Sequence, residues 1–332
     1  MGIWGSARRV WVPQRGRREV LLALLLAAFC LGIGAYDGSF LSAGNARDIL
    51  VNASYVAVVA CGMTVVIAAG GIDVSVGSLL AVCATVAGLL ARLGLPMPVV
   101  GLATLAAGAV LGALNGALVH PGRVPPIIAT LAARSMWRGA IVLWMRGRWI
   151  TDLPDSFRAP GLGKLLGIPV PVIVMVLAVA LAAFYVRSTR PGRNVLAVGG
   201  NEQGAALAGI RVGRVRFFSY VLAGLSVGLA TLVYATRFYA IQPNAGAGLE
   251  LLAITAVVLG GSPITGGRAS IAGTFLAVLL LTTLGTGLTF LHASAYWITA
   301  LQGSIVLCAV VSDALAGRSR AAGAEGAVGA TA

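Results

Sequence analysis

Uncharged apolar runs about twenty residues long recur through the chain, and they are too continuous for the one-sided pattern of a helix lying on a soluble core. A hydrocarbon layer about 30 Å thick needs roughly 20 apolar residues per helix. Eight runs come near that length: 20–36, 49–72, 74–91, 96–119, 168–186, 217–236, 269–291 and 293–312. Two more segments are less clean, since 124–145 carries Arg134 and Arg138, and 249–259 is short, holds Glu250 and stops at Gly260 and Gly261. With 58% hydrophobic and only 10% charged residues, the expected fold class is an all-α, polytopic membrane bundle of about ten transmembrane helices. Arg15, Arg17 and Arg18 precede the first run as the basic region of a signal peptide would. No small-residue cleavage site leading into a soluble domain follows, so the run is read as a span.

The net charge of +14 is arranged as topology rather than as a nucleic-acid surface. Arg8, Arg9, Arg15, Arg17 and Arg18 precede the first span, and Arg187, Arg190, Arg193, Arg211, Arg214 and Arg216 flank the 187–216 loop, while Arg318 and Arg320 follow the last span. Ten spans put all three groups on one side, which the positive-inside rule makes cytoplasmic, with both termini. The 146–169 loop then faces outward, its basic residues offset by Asp152 and Asp155. Three regions follow: a basic cytoplasmic arm over 1–19, a transmembrane domain over 20–312 and a disordered tail over 313–332. No soluble segment interleaves aromatic and basic residues as nucleic-acid binding requires. Cys30, Cys61, Cys83 and Cys308 sit inside apolar runs, without metal-ligand spacing, and read as small buried hydrophobes.

Gly108, Gly112 and Gly116 recur every fourth residue and flatten one face of the fourth span, the kind of surface over which helices approach in lipid. Asn115 beside it bonds a neighbouring helix or touches cargo. The segments "GGIDVSVGSLLAV" and "GGSPITGGRASIAGTFLAV" both set a double glycine and small polar residues before an apolar helix. Transporter halves repeat in this way, although a double glycine before a helix is also a general breaker.

Gly70 and Gly71 break the second span, and Asp73 and Ser75 stand where the third helix begins. Both are good helix caps, because their oxygens accept from unpaired N–H groups of a first turn whose dipole favours negative charge. A carboxylate near hydrocarbon still costs about 2.5 to 3.5 kcal/mol on insertion scales, so it faces a bundle interior or a wet cavity. The stretch is therefore read as a break beside a translocation path, with Asp73 structural first and a contact of a moving gate or of cargo second. In the 187–216 loop, residues 201–207 form a short exposed helix between the breakers Gly199–Gly200 and Gly209, with Asn201 as its cap and Glu202 in its first turn. Such a helix is a handle for another protein to push.

"GGIDVSVGS", "VPPIIATLAARSMWRGAIVLW", "GGNEQGAALAGI" and "NAGAGLELLAITAVVLGGSPITGG" resemble, in this order, segments of the sugar-type permease subunits of bacterial ABC importers. These are the ribose, xylose, arabinose, rhamnose and autoinducer-2 group, and the resemblance runs over roughly residues 20–312. It implies an inner-membrane subunit that pairs with a second permease subunit, docks on two cytoplasmic ATPases and receives cargo from a periplasmic binding protein. By the same resemblance Asn201, Glu202, Ala205, Gly209 and Ile210 match the motif that contacts the ATPase. Gly204 stands where that group usually has alanine, and Ala206 where a charged residue is common. "RGRWITDLP", residues 146–154, is closer to the autoinducer-2 and rhamnose members; it docks the binding protein, or else rests at the interface with Trp149.

The residues themselves agree that the chain is not a motor: it has no phosphate-binding G-x-x-x-x-G-K-[ST] loop, and its only lysine, Lys164, lies in "GLGKLLG". ATP belongs to the partner ATPase, and no cofactor is expected here. A membrane enzyme would need converging acids, nucleophiles or metal ligands; with two histidines and few carboxylates, no catalytic or metal set is expected. An ion-coupled secondary transporter would use intramembrane carboxylates, of which Asp73 and Glu250 are the candidates. Polar residues that spans otherwise exclude are the pathway candidates: Asn52, Tyr55, Asn115, Asn244, Glu250 and Gln302. Each serves as an interhelical bond or a cargo contact, and Glu250 is read as structural or gating.

Overall fold

The structure is a computed structural model that describes residues 14–294 and, beyond them, positions 296, 297, 299, 300, 303, 304 and 307. Gln302, Cys308, most of the 293–312 run and the 313–332 tail lie outside the described residues. The described chain is a helical bundle with seven helices long and apolar enough to cross a membrane. They are α1 (Gln14–Tyr36), α2 (Ala43–Ala68), α4 (Met97–Val119), α5 (Pro126–Met145), α7 (Val170–Ser188), α10 (Val212–Ala235) and α12 (Ile271–Phe290). Two apolar helices are shorter, α3 (Val76–Arg92) and α11 (Leu249–Leu259). At 1.5 Å per residue, the 11 residues of α11 reach about 16 Å, half the thickness of a hydrocarbon layer. Small elements complete the chain: α6 (Asp155–Leu162), a hairpin of β1 (Lys164–Leu165) and β2 (Ile168–Pro169), α8 (Arg190–Gly200) and α9 (Glu202–Leu207).

Local sequence sets these boundaries. Four helices, α4, α5, α7 and α8, begin with a proline in the first turn, where the missing N–H has no partner to lose. Side chains of Ser42, Thr189, Asn201 and Ser270 accept from first-turn N–H groups of α2, α8, α9 and α12. Between α1 and α2 a single 3-10 turn forms over Gly38–Leu41, and the hydroxyl and N–H of Ser39 hold the Asp37 carboxyl below the usual carboxylate range.

Helix α2 is the axis of the bundle, buried almost all round from Ala53 to Ala69 against α7, α10, α11 and α12. A helix apolar on every side is what such a position requires. Buried threonines in the spans return their hydroxyls to their own helix four residues back, as Thr64 does to Ala60, Thr85 to Ala81 and Thr231 to Val227. The flat face of α4 packs on α10, which meets it with glycines of its own, Gly224 and Gly228.

Two expectations are corrected. Gly199 and Gly200 do not break the chain before α9; they close helix α8. Their lack of a side chain serves close approach, since a Cβ on Gly199 would run into the Ala68 carbonyl and come 2.6 Å from Gly267 N. The 146–169 segment, expected as a loop, instead carries α6 and the β1–β2 hairpin. Ile150 bridges Ile241, Phe157 is buried among Ala87, Ala235 and Ile241, and Arg158 lies 3.3 Å over the ring of Tyr239. Trp149 remains 56% exposed, as an interfacial ring would be.

Candidate functional site

The break after α2 is tied down by three other helices. Gly70 takes φ of +80°, which lets the chain turn out of α2, and a Cβ on Gly71 would lie 2.7 Å from the Tyr220 hydroxyl oxygen. Asp73 and Ser75 are fully buried. Asp73 Oδ1 accepts from Ser75 N at 2.9 Å and from the Ser75 hydroxyl at 2.6 Å. Asn115, on α4, donates through Nδ2 to Ser75 Oγ at 2.7 Å and to the two Asp73 oxygens at 3.3 and 3.4 Å. On α5, Thr130 accepts from Val74 N at 3.2 Å, while on α10 the Tyr220 hydroxyl donates to Ile72 O at 3.4 Å. The cap expected at α3 is thus altered: Ser75, next to the helix, makes no side-chain cap bond, and Asp73 organises the turn before it. Among the described residues the buried Asn115 Oδ1 has no partner. Rotating that amide would aim Oδ1 at the carboxylate, so the observed orientation is the favourable one.

Replacing Asn115 with leucine leaves a buried carboxylate with Ser75 as its only side-chain donor, a loss of about 1–3 kcal/mol. The expected result is a lowered thermal midpoint of the purified protein. An unchanged midpoint would mean that the amide does not hold the break.

The second assembly lies halfway across the bundle. Helix α10 ends at Ala235 and the chain returns along α3, with Ile241 against Gly88 and Gly246 against Gly77. These glycines stand eleven residues apart on α3, a descent of about 16 Å. Helix α11 therefore starts inside the bundle, and Glu250 sits in its first turn, 1% exposed. Arg134 on α5 pairs with it, Nη2 to Oε1 at 2.7 Å. One turn on, Arg138 donates to the carbonyls of Pro243 at 2.7 Å, Ala245 at 3.0 Å and Gly77 at 3.3 Å. Both arginines are thus used at the start of a half-length helix: Arg134 pairs with the Glu250 carboxylate, and Arg138 satisfies carbonyls of Gly77 and of the turn before α11. Glu250 Oε2, without a partner among the described residues, lies over Gly77, where a Cβ would collide with it.

The six pathway candidates thus separate. Asn115 belongs to the break and Glu250 to the half-helix, with Asn244 exposed on the turn before it. Asn52 and Tyr55 stand in the half of α2 away from the break, Tyr55 at mid-helix; Asn52 Oδ1 accepts from Arg237 Nη2 at 2.8 Å, and Tyr55 packs edge-on against Tyr234 at 5.1 Å. Gln302 lies outside the described residues. Sequence reading missed Arg134, Arg138, Thr130, Tyr220 and Arg237 as site residues. The available signal was two arginines four apart in an apolar run, a spacing that puts both on one helix face.

Helix α9 stands near the break end of the bundle. Asn201 Oδ1 accepts from Gly204 N at 2.9 Å, and Gly209, at φ of +80°, turns the chain toward α10. Glu202 makes a two-pronged pair with Arg216 at 2.7 and 3.1 Å. Ala205 points inward, Ile210 is half-buried, and Leu207 is 92% exposed. Among the described residues no group of three or more His, Cys, Asp or Glu is placed to hold a metal ion.

Residues 45–310 match the family described as the permease component of branched-chain amino acid transport systems. The chain is 36% identical over 309 residues to the ribose import permease protein RbsC of Escherichia coli (strain K12), covering 92% of this chain and 95% of that one. It is 42% identical over 284 residues to the protein of that name in Bacillus subtilis (strain 168), covering 85% and 88%. To the autoinducer 2 import system permease protein LsrC of Shigella flexneri it is 34% identical over 308 residues, covering 93% and 89%.

Proposed function

Because this chain belongs to the permease-component family of branched-chain amino acid transport systems, we propose that it is the membrane-spanning permease subunit of an ABC importer for a small polyhydroxylated solute. The similarity to ribose and autoinducer 2 import permeases along almost the whole chain is the observation that carries this. A simple sugar or autoinducer-2 is the cargo, and the subunit sits in the inner membrane without chemistry of its own. ATP is bound by partner ATPases, a second permease subunit completes the pathway, and a periplasmic binding protein delivers the cargo.

In the ten-span reading, the seven long helices, α3 and the half-helix α11 are joined by a tenth span over 293–312. By the positive-inside rule, the basic residues around α8 and α9 support a cytoplasmic side for that end of the bundle and for both termini. The arm over 1–19 and the tail over 313–332 flank the membrane domain. Helix α9 then contacts the ATPase through Asn201, Glu202, Ala205, Gly209 and Ile210, with Leu207 as the uncovered apolar residue at its end. The Gly70, Gly71, Asp73 and Ser75 break lies at the same end and serves as the gate element, while Asn52, Tyr55, Asn244 and Glu250 lie toward the pathway. The ion-coupled alternative is left short of free carboxylates, since Glu250 is paired with Arg134 and Asp73 is taken up by Ser75 and Asn115.

The test is ATP hydrolysis by the reconstituted complex, titrated with its cognate binding protein carrying ribose, rhamnose or autoinducer-2. Stimulation by one loaded form is expected and names the cargo. A complex that no loaded form stimulates refutes the reading.

A further inference from the structure

Arg134 is the ninth of the twenty residues of α5, yet its side chain is 45% exposed while it holds Glu250. A guanidinium at that depth is expensive against acyl chains, so its open side faces water or polar protein. The surface beside it is mixed, with exposed Leu131 and Met136 next to small and polar positions. Ser135 and Gly139, one turn apart on α5, are exposed, and a Cβ at Gly139 would meet none of the described residues within 4 Å. Asn244 and Gly248, on the turn before α11, are exposed too. Helix α7 presents what lipid requires instead: between Val176 and Phe184 its exposed residues are all apolar.

The two arginines of α5 divide their work. Arg138 directs its donors to three backbone carbonyls. Among the described residues Arg134 has Glu250 as its one ion-pair partner, through Nη2. A guanidinium has five N–H donors in a fixed fork, so several are left for an external acceptor. Glu250 holds the group in place and balances its charge, which suits weak bonds to neutral hydroxyls better than tight capture of an anion.

We infer that the α5 face around Arg134, with the turn before α11, lines the cargo route, and that Arg134 selects there for hydroxylated cargo. This rests on the permease reading above. In proteoliposomes holding the full complex, Ser135→Cys and Gly139→Cys are treated with a membrane-impermeant methanethiosulfonate reagent. Leu177→Cys, eighth of the 19 residues of α7, is the lipid-facing control at similar depth, and the wild type sets the background from native cysteines. Both α5 positions are expected to react several-fold faster than Leu177→Cys. Equally slow reaction at all three, as for a face sealed by lipid or by the second permease subunit, overturns the inference.

Arg134→Lys keeps a positive charge beside Glu250, and with it the fold, but loses the planar fork. Uptake of the sugar that stimulates hydrolysis is expected to fall several-fold while stimulated hydrolysis holds. Unchanged uptake, or uptake and hydrolysis falling together, overturns the selective role. Failure of the permease reading shows separately, as a wild-type complex that no loaded binding protein stimulates.

Discussion

Leu207→Asp is expected to abolish binding-protein-stimulated ATP hydrolysis while leaving the permease as stable as the wild type. Leu207 is 92% exposed at the end of α9, so the substitution removes no contact within the chain. An exposed leucine on a short capped helix is a contact awaiting a partner. If the ATPase covers it, the burial is worth about 1.5–3 kcal/mol. That is roughly a 10- to 150-fold weaker association at each docking site, before the cost of burying the new charge. The readouts are co-purification of the ATPase and stimulated hydrolysis, set against the thermal midpoint of the permease alone. Glu202→Arg is the companion change. It breaks the Glu202–Arg216 pair and places like charges together, but at an exposed pair that costs the fold no more than about 1 kcal/mol. Through Arg216, α9 is tied to the first turns of α10, which would carry a push on α9 into the bundle. Normal assembly and stimulation in both variants would mean that α9 is not the coupling element.

Much of this fold was legible because each span must satisfy its own backbone, which forces long apolar runs whose ends fall within about six residues of the observed helices. Helix α9 was legible from its punctuation, Asn201 before it and Gly209 after it, together with the resemblance of that segment to the motif that contacts the ATPase. What could not be read was anything decided by a partner far away in the chain. Arg134 and Arg138 made α5 look like a poor span, because a charge in a span is costly or useful according to what it meets, here Glu250 and three carbonyls. Gly199 and Gly200 read as breakers by local propensity, and contact with Ala68 and Gly267 overrode that propensity. The Gly70 break was visible, but the reason that Asp73 is tolerated there, an amide on α4 and a hydroxyl two residues on, needed the packing.

Gly112→Val is expected to unfold or strongly destabilise the membrane domain. A Cβ at Gly112 would run into the Tyr220 carbonyl and come 3.0 Å from Gly224 Cα. The mirror change at Gly224 would run into the Gly108 carbonyl and come 2.8 Å from Gly112 Cα. Backbone lies on both sides, so no rotamer relieves the overlap and the helices must separate. Overpacking of this kind costs about 1–3 kcal/mol and occasionally more. In lipid there is no hydrophobic drive to restore the contact once close approach is lost. Separation also pulls at Asn115, three residues along α4, and so at its bonds to Ser75 and the buried Asp73 carboxyl group, adding an unsatisfied buried polar group worth about 1–3 kcal/mol. Against a typical total stability of about 5–15 kcal/mol, that combination is decisive. Gly32→Val on α1 is the control, because a Cβ there meets nothing within 4 Å and the effect should stay within about 0.5 kcal/mol. Yield and thermal midpoint in detergent separate the two. If Gly112→Val matched Gly32→Val in both, α4 and α10 would not be packed glycine to glycine, and the route by which α10 holds the break in place would fail with them.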